Sequence, residues 1–364
     1  MHILSKFRTA AVLSFLLWGA FSSAEACTGI KLKAKDGSIV HGRTLEFGIQ
    51  VDTSIVVVPR GYNFEGTTPN GKGLKYQAKY AAVGAIAFDN PAIMDGMNEK
   101  GLSVGTFYFP GFASYPTITS ENQAKALSPV EFSNWLVTNF ATIDEVKAGL
   151  KDVVIAPTIS KAWGPTPTPF HYIVFDKSGQ CLVIEPIGGK LVTYDNRLGT
   201  FTNSPQFDWH MTNLRNYINL TAENPKPLKV DGLEFASFGQ GGGMVGLPGD
   251  FTPPSRFVRA AIFSISAIPS ADAKTAIFQT FHILNQFDIP VGLARDKVGD
   301  VTYSDFTMIT CARDPQSLKY YFKTYDDQNI RFVDLSKFDL DGKALKTFKT
   351  STGAQQAIDI SSQL

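Results

Sequence analysis

Residues 22–27 read Ser-Ser-Ala-Glu-Ala-Cys, and they constrain this chain most because they set where its mature N-terminus falls. Ahead of them stand Lys6 and Arg8, then an apolar run at 10–21 that is too short to span a bilayer comfortably. Ala24 and Ala26 sit at the −3 and −1 positions of an Ala-x-Ala cleavage site. The expectation is a cleaved secretory signal over residues 1–26 and a periplasmic or secreted mature protein that begins at Cys27. Such a chain carries a thiol and a free α-amine on one residue. With a pKa of roughly 7.7–8.0, the amine is partly neutral at pH 7 and can take the thiol proton directly or through one water. A bacterial lipoprotein also begins with cysteine, but it prefers leucine at −3 and a small residue at −2, where this chain has Ala24 and Glu25. The two readings exclude each other, because acylation of the amine removes the base.

From Cys27 the chain runs CTGIKLKAKDGSIVHGRTLEF, two strands about an Asp36-Gly37 turn. The reversal returns Arg43 toward Cys27, where a guanidinium favours the thiolate, and Glu46 is placed to hold the protonated amine. By themselves, Arg43 and Glu46 read better as a surface ion pair. The rest of the composition excludes much. The 364 residues are 44% hydrophobic and 18% charged with net charge +1, which is globular and offers no basic excess for nucleic acid. Three cysteines (Cys27, Cys181, Cys311) without CxxC spacing make neither a disulfide framework nor a zinc site. The histidines show no metal spacing, so no metal and no organic cofactor is expected.

Strands are expected at 54–58 and 80–88, in a hairpin over 97–109, at 171–174 and 181–185 about Lys177-Ser178-Gly179, and at 306–311, 320–324 and 330–334. Helices are expected over 128–150, 208–220, 255–265 and 271–284. In the first, Ser128 and Glu131 form a capping box, and Thr142 with Glu145 restarts the helix. Residues 61–75 and 239–249 read as Gly-rich loops. Strands gather early and late with helices between, not as βαβ units, so residues 27–364 are expected to form one α+β domain with antiparallel sheets. Gly101-Leu102-Ser103-Val104-Gly105 matches a serine-hydrolase elbow, but a turn precedes Ser103 and an aromatic strand follows, the inverse of what an elbow needs. The glycines at 239–243 lack the GK[ST] of a phosphate loop.

Several segments together resemble one family: Cys27-Thr28 after the signal, GRTLEF at 42–47, DGMNEKGL at 95–102, FTNSP at 201–205, TNLRNY at 212–217, GLPGD at 246–250 and SRFVR at 255–259. In this order they are similar to the choloylglycine hydrolases, which include bile salt hydrolases and penicillin V acylases. The resemblance implies the four-layer αββα fold of N-terminal-nucleophile hydrolases, two antiparallel sheets between helical layers. It implies Cys27 as nucleophile and base, Arg43 beside the thiol, Asn203 and the Tyr108 N–H as oxyanion donors, and Arg256 as a second site arginine. Glu46 stands where the best-known members carry aspartate. Tyr108 stands where many bile salt hydrolases carry asparagine, which would bias the site away from conjugated bile salts.

The function so implied is an exported amidase for small-molecule N-acyl amides with a bulky apolar acyl group, with no membrane span after cleavage and a homotetramer as the expected assembly. Phe109, Phe112 and Tyr115 are candidates for the acyl pocket, and equally for ordinary core. A catalytically weak, lipid-anchored binding protein on the same fold is the other reading, and the state of the Cys27 amine separates the two.

Overall fold

A computed structural model describes residues 26–49, 51–88, 91–163, 165–351 and 353–361; the expected leader, Ala26 excepted, lies outside the described residues. Strands and helices are numbered along the chain. The first sheet starts with β1 (Cys27–Lys33) and β2 (Ile39–Phe47). Asp36 closes the turn between them by accepting from the Ser38 N–H and hydroxyl, and Gly37 supplies a φ of 87°. That turn sets the register, with Cys27 opposite Leu45 and Gly29 opposite Arg43. The sheet continues from β2 through β17 (Val301–Asp314) and β18 (Lys319–Thr324) to β19 (Arg331–Asp334), and β16 (Ala294–Val298) also pairs with β17.

The second sheet has the order β13 (Lys190–Asp195), β12 (Cys181–Ile187), β11 (Phe170–Phe175), β8 (Ser103–Tyr108), β7 (Ile93–Asn98), β6 (Ala82–Ala87), β3 (Thr53–Val58), β20 (Lys346–Lys349). Both sheets are antiparallel. Strand β2 is buried along its whole length because both of its faces are covered. Its odd residues face the second sheet: Arg43 lies 4.0 Å over Phe107, and His41 stacks on Phe175 at 4.0 Å. On its other face Val40 packs with Ala276, Ile277 and Phe281 of α5 (Ala273–Leu284), which lies in one layer with α4 (Pro253–Ser266). Against the far face of the second sheet lie α1 (Phe132–Asn139) and α2 (Ile143–Gly149), joined to it by Asn134 Oδ1 on the Ile93 N–H. Helix α3 (Phe207–Leu214) packs on α4. This is the expected αββα arrangement.

Tyr172 packs on Phe132 of α1 at the far face, while Leu45, Met97 and Ile309 are fully or nearly fully buried between the sheets, and each such side chain contributes on the order of 1.5–3 kcal/mol. Within the same space Arg313 donates to Asp95 at 2.8 Å and the Tyr320 hydroxyl donates to it at 2.9 Å. Both partners of that ion pair are buried, so it fixes how the sheets stack more than it adds stability.

Three local expectations are corrected. Residues 61–75 are not a loop: β4 (Asn63–Thr68) and β5 (Gly71–Gln77) form a hairpin held by Phe64 stacked on Tyr76 at 5.1 Å. Its glycines serve close packing, since a Cβ on Gly66 or Gly73 would come within 2.5 or 2.1 Å of the Ala126 carbonyl oxygen. That carbonyl belongs to β9 (Ala126–Leu127), which pairs with β10 (Val154–Ile155). Helix α1 starts four residues after Ser128; Glu131 accepts from the Ser128 N–H but turns also to Thr67, while the Ser128 hydroxyl has no partner. Thr142 does cap α2, accepting from the Glu145 N–H. The helix expected at 208–220 stops at Leu214, and a short hairpin of β14 (Leu228–Val230) and β15 (Leu233–Phe235) follows. Cys181 and Cys311 form no disulfide with each other, and both are buried, as is Cys27.

Candidate active site

Cys27 opens β1 and is buried. Its edge of the sheet is covered by the segment after β13, where Gly29 and Phe201 exchange backbone hydrogen bonds at 2.7 and 3.0 Å. This bridge carries Asn203 alongside, and the Asn203 Oδ1 accepts from the Cys27 N–H at 2.8 Å. The same oxygen accepts from Arg256 Nη2 at 2.8 Å. Arg256 Nη1 donates to the Cys27 carbonyl and to the Thr28 hydroxyl, and Nε donates to the Phe251 carbonyl. Arg256 sits in the first turns of α4, which Pro253 and Pro254 start, and its guanidinium is buried; burial lowers its pKa to about 10, partly offset by Glu46 and Cys27.

Asn203 Nδ2 donates to the Tyr108 carbonyl at 2.9 Å, so Tyr108 and Asn203 are joined across the site, and the second Nδ2–H is free for a reacting oxygen. What the structure gives for Tyr108 is therefore an accepting carbonyl facing Asn203.

Arg43 and Glu46 are not a surface pair. Both are buried, and they leave β2 on opposite faces. Arg43 donates from Nη1 to the Thr106 carbonyl at 2.6 Å and from Nε to the Thr44 carbonyl, while Nη2 has no hydrogen-bond partner. Burial would lower its pKa, but negative charge at Cys27 and Asp95 outweighs burial and raises it. Glu46 accepts from the Thr307 hydroxyl at 2.9 Å through Oε1, and Oε2 has no partner. Burial raises the Glu46 carboxyl to about 8, against the pull of Arg256. Two buried ionisable groups thus each leave one polar atom unsatisfied near Cys27, which is uncommon outside functional sites. Among the described residues no group of three or more His, Cys, Asp or Glu could hold a metal.

A sequence profile of the linear amide C–N hydrolases, choloylglycine hydrolase family, matches residues 27–348. The chain belongs to this family. It is 35% identical over 325 residues to the bile salt hydrolase/transferase of Clostridium perfringens, covering 89% of this chain and 96% of that one. The solved structure of an alanine-for-cysteine variant of the conjugated bile acid hydrolase from Clostridium perfringens superposes with a TM-score of 0.80 at 34% identity, covering 91% of this chain and 99% of that chain. The penicillin V acylase of Agrobacterium tumefaciens gives 0.71 at 25% identity, covering 88% and 90%. The choloylglycine hydrolases are linear amide hydrolases, and so is this chain.

Sequence reasoning missed the groups behind Asn203. His171 and Glu185 are both fully buried, with Nδ1 and Oε1 3.1 Å apart, and His171 Nε2 lies 3.0 Å from the Thr202 carbonyl. His210 Nε2 lies 2.9 Å from the Asn203 carbonyl. A signal existed for the first two: His171 is the one imidazole and Glu185 the one carboxylate in their otherwise apolar strands, and a hairpin centred on Ser178 puts them opposite, one step beyond the Tyr172–Ile184 pair. Of the acyl-pocket candidates, Phe109 is buried and stacked on His171 at 4.2 Å, and Tyr115 is tied to Thr168 and Phe170. Phe109 is core, Tyr115 is partly buried, and Phe112 is exposed. The partly exposed aromatics at this end of β2 are instead Phe88 and Trp163, which meet Phe47 edge-on at 6.1 and 5.1 Å.

Proposed function

We propose that this chain is an exported cysteine amidase that cleaves the linear amide bond of an N-acyl substrate through a Cys27 thioester. The observation that carries the reading is the meeting of the Cys27 nitrogen, Asn203, Arg256 and the unsatisfied Glu46 carboxyl at one strand end. Removal of residues 1–26 converts the Cys27 amide into an α-amine, and the ammonium form supplies the cation that Glu46 lacks. The neutral amine takes the thiol proton, and the thiolate, favoured by Arg43, attacks the substrate carbonyl carbon. The oxyanion is held by the free Asn203 Nδ2–H and the Tyr108 N–H, each donor worth about 3 kcal/mol. The α-ammonium then protonates the leaving amine, the C–N bond breaks, and water hydrolyses the thioester with the α-amine again as base.

The acyl group is bulky and apolar, of the penicillin V, conjugated bile salt or N-acyl homoserine lactone type. The aromatic wall of Phe47, Phe88 and Trp163 supports that choice, because it offers apolar surface two residues beyond Leu45, the cross-strand partner of Cys27. A periplasmic or secreted location rests on the Ala-x-Ala site of the leader. Assembly into an oligomer is supported by the exposed apolar side chains Leu228, Leu233, Phe235 and Phe238 of the β14–β15 arm. Among the described residues no helix is long and apolar enough to cross a membrane.

Intact mass and N-terminal sequencing of the exported protein, followed by thiol alkylation and a panel of penicillin V, glycocholate and acyl homoserine lactones, test the proposal. An unmodified N-terminal Cys27 with amidase activity lost on alkylation is expected. A lipid-modified Cys27, or activity indifferent to alkylation, overturns it and favours an anchored binding protein or a Ser103 esterase.

A further inference from the structure

Asn203 is the most heavily shared side chain of the site, yet it lies on an irregular segment, not on a strand or helix. Loops hold side chains less accurately than strands do, so something else must fix this one. The peptide carbonyls on either side of its Cα each face a buried imidazole: Thr202 faces His171 and Asn203 faces His210. His171 stands on β11 and is clamped between the Phe109 ring at 4.2 Å and the Phe201 ring at 4.3 Å; His210 stacks on Phe257 at 4.7 Å. Rings held this way cannot turn to other partners.

A carbonyl oxygen can only accept, so Nε2 of each imidazole carries a proton. Nδ1 of His171 then meets Glu185 Oε1, which also accepts from the Phe207 N–H at the start of α3. We propose that His171, oriented by Glu185, is a positioning residue for the amidase reaction: its Nε2–H on the Thr202 carbonyl aims the Asn203 amide at the Cys27 nitrogen and at the developing oxyanion. His210 acts in the same way on the next carbonyl. This deepens the proposed function and rests on it for its kinetic consequence only.

The surroundings keep the relay free of net charge. Burial lowers His171 well below the usual imidazole range, and Arg43 on β2 lowers it further; burial raises Glu185 to about 8, and Asp208 on α3 adds to that. Burial lowers His210 to about 4, with smaller contributions from His171 and Arg256 on α4. The donors facing Asn203 therefore stay in place across neutral pH.

The test has two arms. In the wild-type protein, 15N NMR of the imidazoles is expected to find His171 neutral and protonated at Nε2 from pH 5 to 8; a charged ring or an Nδ1-protonated tautomer overturns the proposal. Among variants, His171→Leu should lower kcat by roughly 10²-fold with KM little changed, the loss typical of one misplaced oxyanion donor. His171→Gln places an N–H at the same bond distance from Cα as Nε2 and should bring kcat most of the way back. A folded His171→Leu with unaltered kcat, or an equal loss in both variants, overturns it. A crystal structure of His171→Leu in which the 2.8 Å contact between Asn203 and the Cys27 nitrogen persists does the same. If the wild-type protein cleaves no amide, the functional reading fails alone, because the NMR and crystallographic arms need no substrate.

Discussion

Glu46→Gln should act with opposite sign before and after the proposed removal of residues 1–26. With Ala26 still attached, the Cys27 nitrogen is an amide and Glu46 Oε2 has no partner, and burial raises the carboxyl from 4.5 to about 8. The folded chain then holds a proton that the unfolded chain gives up above pH 4.5. Stability is fully present below that pH and falls as pH rises, until the folded carboxyl ionises near 8. One pH unit is worth roughly 1.4 kcal/mol, so at pH 7 the penalty is about 3 kcal/mol. Glutamine stays neutral and avoids it, at a cost of about 1–3 kcal/mol for its unpartnered amide. The difference in stability between variant and parent is therefore small at pH 7, but it should move in favour of the variant by roughly 1.4 kcal/mol per unit between pH 5 and 8. Urea unfolding of the unprocessed pair across that range reads the slope. In a pair that begins at Cys27, where the proposal sets an ammonium against the carboxylate, the parent should be the more stable at pH 7. A flat difference across pH in the unprocessed pair would refute the reasoning.

Three further outcomes are expected. Asn203→Ala should lower kcat on a cleaved amide by about 10²–10³-fold, measured by steady-state kinetics beside a check that the far-UV spectrum is unchanged. Asp95→Ala strands the buried Arg313 between the sheets and should cost roughly 3–5 kcal/mol in urea unfolding, whereas a loss under 1 kcal/mol would mean that water replaces the carboxylate. Gly73→Ala puts a Cβ about 2 Å from the Ala126 carbonyl, so limited proteolysis should open the β4–β5 hairpin first; equal cleavage rates in variant and parent would show that the hairpin shifts without loss.

What could be read from sequence was local or short-range. The β1–β2 hairpin followed from Asp36-Gly37 and two strand patterns, and the hairpin's register alone brought Arg43 opposite Gly29, two residues from Cys27. Strand β11, the cap of α2 and the body of α5 followed from the same kind of pattern. The motif order carried the family, and with it the αββα layers. Glycine misled at 61–75 because a glycine needed for close packing looks the same as one needed for a turn; only the Ala126 backbone next to Gly66 and Gly73 tells them apart. Whether Arg43 and Glu46 lie on the surface was equally undecidable, since burial of β2 depends on β17, some 260 residues later, and on α5.

The chemistry of this protein was in the sequence as a list of groups: a cysteine after an Ala-x-Ala site, two arginines, a carboxylate and an asparagine. The tertiary structure decided how those groups are charged and aimed. Protonation is set by burial and by neighbours distant in the chain, as at Glu46 beside Arg256, and direction is set by contacts such as His171 on the Thr202 carbonyl. Both depend on the stacking of two sheets, which no local pattern of residues encodes.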